Sequence, residues 1–263
     1  MPAFYDMLRC NLVIFAVLLC TFGAPQLKHN LGGRIVNGTD APLGKYPFML
    51  SLQKSNFGHF CGGSILNEIY ILTAAHCVSN EDASKLSILV GTVDLRDGGE
   101  RYNVEAITVH EDYNVTNNAI NDIAVLKLQS AISFNEDVQP VKLPAQMEPT
   151  PDGTPATVIG FGYPYSDGDV MQHLQQVDII VYSDEECQAI HNDAPHDSNI
   201  CAGVPEGGKG QCSGDSGGPL IANGHQIGIV SWSEKPCTVA PYPGVYTELA
   251  YYIDWLAQHA FVQ

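Results

Sequence analysis

Residues 214–219 read GDSGGP, one serine and one aspartate among three glycines and a proline. Glycine weakens helices and strands, and proline removes a backbone donor, so the stretch makes a poor regular element and a good tight turn. Such a turn can aim successive backbone N–H groups inward with no side chain in the way. A serine hydroxyl is a weak nucleophile unless a base takes its proton, and the oxyanion formed on attack needs preorganised donors. Ser216 is therefore a candidate nucleophile for acyl transfer; the plainer reading is an exposed serine on a glycine turn. The base should be one of nine histidines. His76 lies in LTAAHC (72–77), where small alanines permit close packing and Cys77 can staple the segment down. A carboxylate should fix the tautomer of that base. Asp122 stands at the head of the apolar run NDIAVLKL (121–128), where it is either that carboxylate or an ordinary acid at a strand start.

Positioning three such groups calls for a rigid frame. Short alternating segments recur at 48–52, 87–90, 123–128, 156–159, 177–181 and 226–230, separated by turn residues. With 25 glycines and 16 prolines in 263 residues, this pattern predicts an all-β barrel or sandwich. The four prolines of LPAQMEPTPDGTP (143–155) mark a crossover between two halves. From about Leu249 the spacing of Leu249, Tyr252, Ile253 and Leu256 predicts one terminal helix.

The run LVIFAVLLC (12–20) follows Arg9 and precedes the small residues Thr21 and Gly23. It is too short to span a membrane and reads as a secretory signal, residues 1–23. No later run is long and apolar enough to span a bilayer. Six cysteines follow the leader: Cys61, Cys77, Cys187, Cys201, Cys212 and Cys237. In a secreted chain an even number implies disulfides, and nearest-neighbour pairing, one of 15 connectivities, gives Cys61–Cys77, Cys187–Cys201 and Cys212–Cys237. A zinc site is the rival, but there is no CxxC pair. The net charge of −17 repels nucleic acid and acidic membrane surfaces, so neither is expected as a partner.

Taken together, RIVNG (34–38), CGGSIL, LTAAHC, NDIAVLKL, GDSGGPL, SWS (231–233) and PGVYT resemble the chymotrypsin-type serine endopeptidases of the S1 family. The resemblance runs from Ile35 to the C-terminus and includes the order His, Asp, Ser. It implies an all-β fold of two antiparallel six-stranded β-barrels with a C-terminal α-helix, spanning 35–143 and 144–263 of a peptidase domain at 35–263. It implies a catalytic triad of His76, Asp122 and Ser216 and an oxyanion hole formed by the N–H groups of Gly214 and Ser216. It also implies an activation segment, 24–34. Cleavage after Arg34 by a trypsin-like protease would free the ammonium of Ile35 to pair with Asp215. Protein and peptide substrates and protein protease inhibitors are the expected partners, and the expected state is a secreted extracellular monomer. No cofactor and no metal is expected: the segment 91–105, where some relatives bind calcium, is read as a short loop with Thr92 in place of a carboxylate.

The resemblance also locates the primary specificity pocket, lined by Gly210, Gln211, Ser231, Trp232, Ser233 and Gly244. Neither Gly210 nor Gly244 can supply the acid that a cationic substrate side chain would need, and small walls favour Phe, Tyr or Leu. Gln211, larger than the serine common there, could shorten the pocket or hydrogen-bond a polar group, which leaves an elastase-like or broad, collagenolytic-type preference as the alternative. A catalytically silent binding homologue is the remaining reading. Two further departures are Gly160-Phe161-Gly162 in place of a GWG segment and only three disulfides, as in many invertebrate digestive enzymes. Asn37 and Asn114 head the glycosylation sequons NGT and NVT.

Overall fold

Burial alternates with a period of two between residues 175 and 181, so that strand presents one face to a core and the other outward. A computed structural model describes residues 35–260; the leader and the whole activation segment, Arg34 included, lie outside them. A short β1 (Thr39–Asp40) is followed by β2 (Met49–Lys54), β3 (Gly58–Ile65), β4 (Tyr70–Thr73), β5 (Leu86–Val90), β6 (Glu100–Val109) and β7 (Ala124–Leu128). The last six close into an antiparallel barrel in the order β2-β3-β4-β7-β6-β5, with β5 pairing back to β2. The second half contains β8 (Pro155–Gly160), β9 (Gln175–Val181), β10 (Asn199–Gly203), β11 (Pro219–Ala222), β12 (His225–Trp232) and β13 (Gly244–Glu248). Their order is β9-β10-β13-β12-β11-β8, closed by β8 against β9, with β1 added at β9. The protein is thus two six-stranded antiparallel barrels.

Each barrel has its own apolar filling. Leu52, Ile71, Leu72, Ile88 and Leu126 lie in the first, and Val158, Val177, Ile200, Leu220 and Tyr246 in the second. Each such aliphatic side chain stabilises the fold by about 1.5–3 kcal/mol on burial. Three disulfides join Cys61 to Cys77, Cys187 to Cys201 and Cys212 to Cys237, the nearest-neighbour pairing.

All six segments read from alternation fall in strands, apart from Phe48 and Ile123 at their starts, but seven other strands and two short α-helices escaped that reading. Strand β3 reads GHFCGGSI, and its glycines suppress the signal although the segment is nearly all buried. Strand β6 begins at Glu100 and occupies the end of the segment read as loop 91–105. Its charged residues face outward while Tyr102 and Val104 face the core. The helix α1 (Ala75–Val78) carries His76, and α2 (Asp184–Ile190) starts at Ser183, whose hydroxyl accepts from the Glu186 N–H. The single terminal helix is in fact two pieces: a 3-10 turn at Leu249–Tyr251, then α3 (Ile253–His259). They break at Tyr252, with φ −115° and ψ 8°; its hydroxyl donates to Asn121 Oδ1 at 2.8 Å. Leu249, Tyr252, Leu256 and Ala260 pack into the filling of the first barrel, so the C-terminus ties the second half back to the first, next to Asp122.

Candidate active site

His76 leaves the end of β4 on the single turn of α1, and Cys77 anchors that turn to β3 through the disulfide with Cys61. Asp122 precedes β7 and is fully buried. Its Oδ1 accepts the His76 backbone N–H at 2.8 Å, and its Oδ2 lies 2.7 Å from His76 Nδ1 and accepts from Ser231 Oγ at 2.6 Å. The Asp122 carbonyl accepts from Thr247 Oγ1 at 2.9 Å. Ionised, this carboxylate has only acceptors, so the His76 proton must sit on Nδ1 and leave Nε2 with its lone pair. Burial of the ring disfavours the imidazolium, but the charge and hydrogen bond of Asp122 outweigh it and hold His76 above the ordinary histidine value.

Ser216 lies in the turn between Cys212 and β11, joined to the first barrel where the Gly62 N–H donates to its carbonyl at 2.8 Å. The N–H groups of Asp215, Gly217 and Gly218 donate to the carbonyls of Cys212, Val230 and Asp215. Those of Gly214 and Ser216 make no hydrogen bond among the described residues. Two uncommitted donors therefore flank the hydroxyl, a pair able to receive a developing oxyanion. The glycines are required at two places. Gly217 has φ +77°, and a Cβ there would collide with Thr73 Oγ1; a Cβ at Gly160 or Gly162 would run into the Asp215 carboxylate. The Gly-Phe-Gly segment is thus the floor on which Asp215 lies.

Asp215 is fully buried, with Oδ1 accepting from the Gly162 N–H at 2.8 Å and Oδ2 from the Cys212 N–H at 2.9 Å. It makes no ion pair among the described residues. Burial pushes its carboxyl up to about 7, against the lesser opposing pull of these two N–H groups and the charge of Lys235. Ile35, the residue after the expected cleavage point, is buried in the second barrel's filling, and Val36 bridges to Gly210.

A histidine that sequence reasoning passed over supports the same turn. His59, on β3 and almost fully buried, places Nε2 2.9 Å from the Gly214 carbonyl and Nδ1 2.8 Å from Ser51 Oγ. The carbonyl can only accept, so Nε2 carries the proton and Nδ1 accepts from Ser51. Burial drives this ring down to about 4, against the raising effect of the Gly214 bond, and keeps it neutral. The signal was a polar residue inside the strand beside CGGS, but one histidine among nine carries no address.

A cavity of about 290 Å³ opens beside Ser216, with Gln211, Ser213, Trp232, Ser233 and Lys235 on its walls. Gln211 and Ser233 also line a second cavity of only about 10 Å³ around Gly203, Gly210 and Gly244. Ser231 also lines the cavity beside Ser216, while its hydroxyl donates to Asp122. Cys61, His76 and Cys77 also cluster, but both sulfurs are locked in one disulfide and offer no thiolate to a metal.

The family model described as Trypsin matches residues 35–256. The chain is 44% identical to Trypsin-1 of Astacus astacus over 242 residues, covering 86% of this chain and all of that protein. It is 40% identical to Chymotrypsin-2 of Vespa crabro (86% and 99% covered) and 38% identical to a trypsin of Phaedon cochleariae (95% and 98%).

Proposed function

The chain belongs to the trypsin family of serine endopeptidases, and on that footing we propose that His76, Asp122 and Ser216 are its catalytic triad. The observation that carries the reading is the 2.7 Å contact of fully buried Asp122 with His76, the second carboxylate oxygen holding the backbone N–H of the same histidine. Ser216 Oγ attacks the scissile carbonyl and His76 Nε2 takes its proton. The oxyanion is received by the N–H groups of Gly214 and Ser216, and His76 then returns the proton to the leaving amine. Replacing Ser216 by Ala in the activated protein should lower kcat by about a million-fold while thermal unfolding stays unchanged. Near-native turnover in that variant would refute the assignment.

The enzyme is made with a leader (1–23) and an activation segment (24–34), secreted, and switched on when a trypsin-like protease cuts after Arg34. Unpaired, a buried carboxylate costs several kcal/mol, and Asp215 is such a group until the ammonium of Ile35 reaches it. Digestion of protein outside the cell, under the restraint of protein inhibitors, is the role that fits.

Cleavage follows Phe, Tyr or Leu. The relatives' names divide between trypsins and a chymotrypsin, so kinship does not choose. The pocket supports an apolar choice: Gly210 and Gly244 provide no carboxylate, and the cation Lys235 stands at the cavity beside Ser216. One observation favours a second, elastase-like reading: the Gln211 side chain lies against Gly244, where a Cβ would come within 2.8 Å of its Nε2, and so shortens the pocket. Comparing kcat/KM for peptides that differ only at the residue before the cut decides between them. Ala and Val would lead in the elastase-like case, Arg would defeat both.

A further inference from the structure

The amide of Gln211 is held in one orientation. Its Nε2 donates to the Trp232 carbonyl at 2.7 Å. A carbonyl only accepts, so the nitrogen must face Trp232 and the oxygen must face away. That oxygen, Oε1, is buried and has no hydrogen-bond partner among the described residues. The residue itself is 3% exposed, and its side chain lies over Gly244, with Cγ, Cδ and Nε2 all close to where a Cβ would stand. The same side chain borders both the cavity beside Ser216 and the small one behind it. A buried acceptor without a donor is costly to leave unsatisfied and selective for whatever satisfies it.

Resting on the reading of this cavity as the primary specificity pocket, we infer that Gln211 Oε1 is a fixed hydrogen-bond acceptor that selects substrate side chains ending in a neutral donor. Within the apolar-tolerant class, a donor tip such as the Tyr hydroxyl or a Gln or Asn amide is preferred over its near-isosteric partner without one. Gln211 acts as a specificity residue by reading the chemistry of the tip as well as limiting depth. A carboxylate tip gains nothing, because two acceptors would face each other. An ammonium or guanidinium meets only a neutral amide oxygen and the nearby Lys235.

The test uses Arg34-cleaved protein and fluorogenic peptides identical except at the residue before the cut, in the pairs Tyr/Phe, Gln/Met and Asn/Leu. Each donor-to-apolar ratio of kcat/KM is measured in wild type and in Gln211→Met, which keeps length and removes the acceptor. Titration of Ser216 with a serine-directed reagent counts folded sites in both. For the pair whose length reaches Oε1, the ratio should fall about tenfold or more in Gln211→Met. Ratios unchanged by the substitution in all three pairs would overturn the inference while leaving cleavage after apolar residues intact. A wild-type preference for Lys or Arg would instead defeat the underlying pocket reading. Gln211→Glu supplies the second variant if Gln211→Met titrates poorly. It places an anion at the same point and should introduce cleavage after Lys or Arg; its failure to do so, in well-titrated protein, counts against an acceptor facing the substrate.

Discussion

Two aspartates, Asp122 and Asp215, are both fully buried, and their surroundings differ in kind. Asp122 sits between the barrels with three donors on its carboxylate: a backbone N–H, the imidazole that it orients and the Ser231 hydroxyl. Its chemistry is complete within the chain as folded. Asp215 has two neutral backbone donors and no ion-paired cation among the described residues, and its carboxyl is pushed up to about 7. Lys235, the one cation among the described residues that acts on it, directs its ammonium to Ser213 Oγ and Cys237 Sγ instead. One buried acid is satisfied by the fold; the other awaits a positive charge, which the proposed activation supplies.

The difference can be broken at either end. Asp122→Asn should cost about ten thousand-fold in kcat, since the amide donates to His76 Nδ1 and drives the proton to Nε2, the wrong tautomer for a base. Measured in cleaved protein at neutral pH, a loss of less than tenfold would show that Asp122 does not set the tautomer. Asp215→Asn in cleaved protein should cost less, on the order of a hundred- to a thousand-fold in kcat/KM, because it removes one partner of a buried pair worth about 3–5 kcal/mol. It should leave the His76 titration in place.

Gly162→Ala sharpens the contrast with a structural probe. Its Cβ would strike the Asp215 carboxylate, so unfolding measured in denaturant should show a loss of about 1–3 kcal/mol and weakened activity. The smallest effects are those of pH. Because Asp122 raises His76 above its ordinary value of 6.5, kcat/KM should fall as pH drops through a midpoint above 6.5, where the base becomes protonated. For Asp215 the sign runs the other way in stability. Its folded-state value lies above its unfolded one, so the uncut chain binds the extra proton between about 4 and 7, and this group's stability contribution declines as pH rises across that window. The Tm of uncut Ser216→Ala protein should therefore fall more steeply over that range than that of the same protein cut after Arg34.

How far the sequence discloses this depends on the kind of signal. Ser216, His76 and Asp122 stand in segments whose residue types already imply their chemistry, and the six segments with clean alternation are strands. Strand β3 was hidden because glycines needed for close approach, as at Gly62 against Gly218, erase the apolar pattern. Strand β6 was hidden because its outward charges look like loop. The support beneath the site was least legible. His59 and Thr247 reach the Gly214 and Asp122 carbonyls across 155 and 125 residues, contacts that arise only when one barrel packs on the other. Gln211 was visible as an oddity, but the direction of its amide is set by the Trp232 carbonyl, which no local pattern announces.

The measurement that bears most directly on the contrast between the two acids is peptidase activity before and after cleavage of the Arg34–Ile35 bond, normalised to titratable Ser216. Uncut protein should be nearly inactive, and cutting should raise kcat/KM by two orders of magnitude or more as the ammonium of Ile35 reaches Asp215. An Arg34→Gln protein, intact at that bond and as active as the cut enzyme, would contradict it.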